Sequence, residues 1–194
     1  MRPFWKYLKY VPIVVAFYMS CVFHKITHMT EDDLQWATNR KVGEAMIFES
    51  DEGEQDTVVI TSIDIYNSIN PINTYPNSMT DYLAGADIKY IVRHNQDYFD
   101  GWLGIEKRNN GESLWFSAHF DHRFAYNLKS QDYSFCVSHV ETVADCVIVN
   151  ENNSRLGKHN KQTNPVLSFV WSKEYGLIQY SFKDGTMYKR KFNY

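Results

Sequence analysis

From Glu44 onward the chain alternates apolar and polar side chains with a period of two, the spacing of strands that bury one face. Ala45-Met46-Ile47-Phe48-Glu49-Ser50 and Asp56-Thr57-Val58-Val59-Ile60-Thr61 read as strands joined across Asp51-Glu52-Gly53-Glu54, a hairpin over 44–61 that Ile63, Ile65 and Ile69 prolong. Ile88 to His94 is the next strand, and Asp100-Gly101 marks a turn. Trp102 to Lys107 and Ser113 to Phe120 form a hairpin over 102–120 about Asn109-Asn110-Gly111, where Asn-Gly accepts positive φ. Tyr133 to Val137 and Cys146 to Val149 follow as strands. The C-terminal block, 166–191, is a meander with turns at Ser172 to Gly176 and at Lys183-Asp184-Gly185. Two polar stretches read as loops: Asn67 to Asp81, with Pro71 and Pro76, and Glu151 to Asn164. The first is long for a compact domain, a trait of functional loops.

One helix start stands out. Thr30 precedes Glu31-Asp32-Asp33 and Leu34-Gln35-Trp36, an N-cap hydroxyl followed by acids in the first turn. Gly43 ends the pattern, so the helix is short and seats Trp36 on the edge of the core. The predicted fold is therefore mainly β: an antiparallel meander forming a curved sheet or partly open barrel, with a short N-terminal helix.

Composition supports this. Aromatic residues make up 16% of the 194 residues, with 14 Tyr and 12 Phe, side chains that suit pleated half-buried surfaces. The length fits one domain, placed at 30–194, with an appendage before it.

That appendage, MRPFWKYLKYVPIVVAFYMSC, sets basic residues ahead of an apolar run from Val11 to Met19 and then Ser20-Cys21. The order matches an export signal, and residues 1–21 are assigned as a membrane-targeting segment, with 22–29 as a tether. The apolar run is shorter than the roughly 20 residues of a spanning helix. Three readings fit it: acylation at Cys21, which follows the apolar run as in a lipobox; an uncleaved anchor; or a buried N-terminal helix. The first two place the domain in the cell envelope, on a membrane surface at the periplasmic or outer-membrane face.

Three segments together resemble small lipoproteins of unknown function from Bacteroidetes bacteria: the signal ending in Ser20-Cys21; Asp33-Leu34-Gln35-Trp36 with Met46-Ile47-Phe48 and Asp56-Thr57-Val58-Val59-Ile60; and Trp171-Ser172-Lys173-Glu174-Tyr175-Gly176-Leu177-Ile178 with Asp184-Gly185. The resemblance implies an envelope location and a β-rich domain, and assigns no active residues.

Charge narrows the partners. The chain carries 20 basic and 23 acidic residues, and Arg2, Lys6 and Lys9 fall in the targeting segment; the other 17 basic residues against 23 acids give −6. A domain of that sign carries no electrostatic footprint for nucleic acid. Lys189-Arg190-Lys191 reads as a solvated strand end.

For chemistry, His119-Phe120-Asp121-His122 is the densest cluster. His119, Asp121 and His122 would form a metal site if the chain turned at Asp121, with His94 or His139 as a third imidazole. That arrangement would support a metal-dependent hydrolase as the alternative function; the competing reading is an ordinary strand end. Cys136 and Cys146 form a candidate disulfide in an oxidising compartment, against two buried thiols on neighbouring strands. Trp102, Trp115, Tyr126 and Trp171 read first as core and second as the lining of a sugar- or lipid-binding cleft. No Walker A loop, GxGxxG, GxSxG, HExxH or CxxC is present. No cofactor and no catalytic residue is assigned. The expected function is a non-enzymatic envelope lipoprotein that binds a protein or an apolar ligand, or serves a structural role.

Overall fold

The computed structural model describes residues 27–67, 84–95, 97–108, 111–137, 140–157 and 163–192, and the side chains of 136, 137, 140 and 141 fall outside that description. Cys21 and the residues expected to target a membrane, and most of the stretch 67–81 expected to be a loop, lie outside it.

The helix α1 (Glu31–Thr38) starts as its sequence predicts. The Thr30 hydroxyl accepts from the Asp33 N–H, and the Asp33 carboxylate accepts in return from the Thr30 N–H at 2.8 Å. Trp36 is buried against Phe116, ring centroids 4.4 Å apart. An ion pair from Lys107 to Asp33 fastens the helix to the sheet. Residues 27–29, expected to belong to the tether, also dock: Thr27 and Met29 are buried, and the Asn67 side chain both accepts from the Met29 N–H and donates to its carbonyl.

The described strands are β1 (Ala45–Ser50), β2 (Gln55–Tyr66), β3 (Ala84–His94), β4 (Asp97–Lys107), β5 (Trp115–Phe120), β6 (Arg123–Leu128), β7 (Gln131–Val137), β8 (Val140–Val149), β9 (Ser154–Leu156), β10 (Val166–Ser172), β11 (Gly176–Phe182) and β12 (Met187–Arg190). They form one antiparallel sheet in the order β7-β8-β10-β11-β12-β1-β2-β3-β4-β5-β6-β9, curled into a half-barrel. The mainly β meander with one short helix is what the alternation predicts. The first and last strands pair, Phe48 opposite Arg190, which seats the C-terminal meander beside the N-terminal hairpin.

The curl follows from connectivity. β6 lies next to one edge and β7 forms the other, yet only Lys129 and Ser130 separate them in sequence. A link that short brings the two edges together. Arg123 helps close the seam: its guanidinium donates to the Val166 carbonyl of β10 at 2.6 Å and to the Ser154 hydroxyl of β9 at 2.7 Å. The concave face fills with aromatic rings. Tyr90 meets Trp171 at 5.3 Å, Phe120 meets Tyr180 at 5.1 Å, and Phe48 meets Tyr180 at 5.3 Å. A second cluster, Phe135, Val143, Cys146, Val170 and Ile178, covers the other face of β10 and β11, and Tyr133 accepts there from the Gln179 amide at 3.0 Å.

Two expectations are corrected. Asp100-Gly101 is not a turn. β3 and β4 pair straight through it to His94↔Asp97, and Gly101 is there because the Tyr90 ring occupies its side-chain space. β6 and β9 were missed, because an inward-facing Arg123 breaks the apolar alternation and β9 has three residues. The basic run 189–191 is a strand end, but only Lys189 and Lys191 are solvated, facing Asp51 and Glu49; Arg190 is largely buried beside Glu44.

A Cβ added at Gly101 would lie 2.1 Å from the fully buried Tyr90 ring. Gly101→Ala is therefore expected to lower the free energy of unfolding by about 1–3 kcal/mol through overpacking, read from the urea midpoint at constant m-value.

Candidate functional site

The convex face of β2 to β5 carries the candidate site. A β-bulge at Thr61 shifts the register of β2, so that Ser62, Asp64 and Tyr66 face outward with Lys89, Asp87 and Gly85 of β3. Opposite these, β4 places Trp102, Gly104 and Glu106, and β5 places His119, Ser117 and Trp115. The middle row of this grid is Asp64, Asp87, Gly104 and Ser117.

The two glycines shape the surface. The Trp102 indole lies over Gly104, where a Cβ would meet it at 2.4 Å, and the Tyr66 ring lies over Gly85. Between the two rings is an open groove of about 230 Å³, with Asp87, Glu106 and Ser117 on its lining. Trp102 is held in place by its Nε1–H, which donates to Asp87 at 3.0 Å. Tyr66 is 44% exposed, so its ring is open to a ligand.

Charge in the groove is unbalanced. Asp64 sits directly across from Asp87, a like-charge cross-strand pair that costs stability. Burial raises the Asp87 carboxyl above the ordinary carboxylate range, eased by the Trp102 N–H and by Lys89, and Asp64 pushes it further up. Among the described residues no cation forms an ion pair with Asp87, whereas Glu106 accepts from Arg108 at 2.9 Å. Nearby Trp115 has cations of its own: Lys129 stands 3.6 Å and Arg108 4.5 Å from its ring centroid. A second concavity beside β9, of about 450 Å³, is lined by Phe124, Tyr126, Arg155, Leu156 and Gly157, and Arg155 already covers Tyr126 at 5.5 Å. The four aromatics singled out from sequence thus divide: Trp171 is core, Trp102 walls the groove, Trp115 is capped by cations, and Tyr126 lies beside β9.

The other predicted residues separate. The chain does turn at Asp121, which adopts φ 55°. His119 points outward, stacks on Phe124 at 4.3 Å and lies 3.5 Å from Asp100, while His122 is beside Asp121 at 3.8 Å. Among the described residues, no three His, Cys, Asp or Glu side chains are grouped to hold a metal ion. His139 is outside the described residues. Cys146 is a free buried thiol, pushed up to about 12 by desolvation. The β7–β8 register sets Gln131 opposite it. Cys136 is five residues further along β7, roughly 16 Å by strand rise, against the roughly 7 Å that a bridge allows.

His94 belongs to a different cluster at one mouth of the barrel. Its Nδ1 lies 2.9 Å from the buried Asp56 carboxylate, which also accepts from the Tyr180 hydroxyl. Phe99, Phe182 and Tyr188 surround the imidazole, and Tyr188 donates to Glu54 at 2.7 Å. The hydrogen bond to Asp56, followed by the charges of Asp56, Glu54 and Asp97, raises the His94 pKa against a desolvation that lowers it. The rings on either side make this a plug for the barrel end.

Comparison with known protein families, curated proteins and solved structures gives no match.

Two pH effects follow. His94 titrates higher in the folded state than the unfolded value of about 6.5, so its contribution is complete below that pH and is lost as pH rises through the folded pKa. His94→Phe should flatten that loss in a series of urea midpoints from pH 5 to 9. Asp87 is the opposite case: a raised carboxyl pKa disfavours the folded state once it ionises. Asp87→Asn, which keeps the acceptor for Trp102, should raise the urea midpoint at pH 7, and the gain should vanish below the unfolded carboxyl pKa of about 3.9.

Proposed function

We propose that this protein is a non-enzymatic binding module of the cell envelope, held at a membrane surface by its N-terminal segment, that takes a small ligand in the groove between Tyr66 and Trp102. One observation carries the reading: two aromatic faces and a half-buried carboxylate converge on a concavity outside the core. Core packing does not require this arrangement, since the concave face already buries its own aromatics. Pockets that bind small molecules pair apolar walls with a few placed polar groups. The location rests on the order of basic residues, apolar run and Cys21 in residues 1–21. A lipid chain on Cys21 would leave the domain beside the bilayer rather than through it.

Both halves can be tested. Intact mass of protein purified from its native membrane is expected to show acylation beginning at Cys21; a mass that retains residues 1–20 rejects that anchor. In a small-molecule screen followed by NMR, the Trp102 indole N–H, assigned through Trp102→Phe, is the tryptophan signal expected to move. Hits that shift only the buried Trp36 or Trp171 signals would overturn the groove as the site.

A further inference from the structure

We infer that the groove between Tyr66 and Trp102 is a site for a free quaternary ammonium ion, with the two rings as walls and Asp87 as the counter-charge. This rests on the groove being the binding site and adds the class of ligand.

The cross-strand register supplies the first argument. Asp64 and Asp87 face each other on a surface that had room for other side chains, and Lys89 is the one basic neighbour on Asp87's own strand face. A cation bound in the groove would relieve that repulsion, and a neutral ligand would not. The second argument is the contrast along the same face. Trp115 has Arg108 and Lys129 over its ring, whereas among the described residues no cation covers Trp102 or Tyr66. Their π faces are electron-rich surfaces that attract cations. The third argument is the kind of cation that fits. A quaternary ammonium spreads its charge over methyl groups, which pack on aromatic faces and need no hydrogen-bond acceptors. A primary ammonium is held best by several converging acceptors; here one oxygen each of Asp87 and Glu106 is already engaged, by the Trp102 and Arg108 donors, and the ring faces of Tyr66 and Trp102 supply the opposing walls. The volume, about 230 Å³, is below the roughly 300–1,000 Å³ of drug-sized sites and suits a small ion. Gly104 is part of the design, because any side chain there would push the Trp102 ring off the floor.

Titration calorimetry of the full-length protein in neutral detergent tests this with three probes: choline, its uncharged isostere with carbon in place of nitrogen, and methyl glucoside. Choline is expected to bind, and the isostere to bind on the order of tenfold more weakly. Asp87→Asn and Trp102→Leu should each weaken choline on the order of tenfold. The Asp87→Asn protein, which is expected to be at least as stable as the wild type, separates lost binding from lost folding. Equal affinity for choline and isostere, or binding of the glucoside alone, would overturn the cation while leaving the groove as a binding site. Choline affinity unchanged by Asp87→Asn would place any cation site elsewhere. Co-sedimentation with phosphatidylcholine vesicles that Asp87→Asn or Trp102→Leu weakens, without binding of free choline, would overturn the free ion in favour of a lipid headgroup; vesicle binding that neither substitution changes belongs to the N-terminal segment and, without choline binding, also counts against the cation site. No binding of any probe, with a Trp102 N–H signal that none of them moves, would count against the groove itself.

Discussion

The two-residue link from β6 to β7 is the constraint on which the rest of the molecule depends. β7, at one end of the twelve-strand order, and β6, next to the other end, cannot be joined by Lys129 and Ser130 unless the sheet bends back on itself. Once bent, it has a concave face that must be filled and a convex face that need not be. The inside takes Tyr90, Phe120, Trp171 and Tyr180, large rings that fill a wide curved interior. The seam needs a group that reaches across it, and Arg123 supplies donors to two strands at once. Burial lowers the pKa of that guanidinium, but its hydrogen bonds satisfy the strand ends that it joins.

The convex face then carries features that folding alone does not reward. Gly85 and Gly104 sit inside strands, where glycine is unfavourable, and Asp64 faces Asp87. Sheets commonly cover such glycines with aromatic rings, and here Tyr66 of the neighbouring strand lies over Gly85 while Trp102, two residues away on the same strand, lies over Gly104. Ring coverage explains the packing. It does not explain two opposed carboxylates beside the rings, and local features that cost stability concentrate at functional sites. The concentration of these features on one patch of four strands gives the groove its functional reading.

The buried Asp56, His94 and Tyr180 group looks chemically richer than the groove, with a carboxylate, an imidazole and a phenol in contact. Its surroundings assign it a structural role. Phe99 and Phe182 flank the imidazole, and Tyr180 stacks on Tyr188 with ring planes 6° apart. A buried carboxylate is tolerable only when hydrogen-bonded, and the two donors at Asp56 meet that need.

Much of the fold was legible in the chain itself, because strand alternation and turn chemistry are local properties. The hairpins over 44–61 and 102–120, the meander over 166–191 and the Thr30 cap all depend on neighbours close in sequence. The Asp100-Gly101 turn was misread for the complementary reason: that glycine answers to Tyr90 on the adjacent strand. Arg123 hid β6 because its inward charge is satisfied only by Val166 and Ser154, both distant in sequence. The groove was half visible. Trp102 could be named as a candidate wall, but Tyr66 and Asp64 could not, because the bulge at Thr61 decides which way they point, nor could Asp87, whose neighbours Asp64 and Trp102 lie on adjacent strands. Sequence determined the elements and the aromatic content; only tertiary pairing decided that one tryptophan fills the core and another faces outward beside an acid.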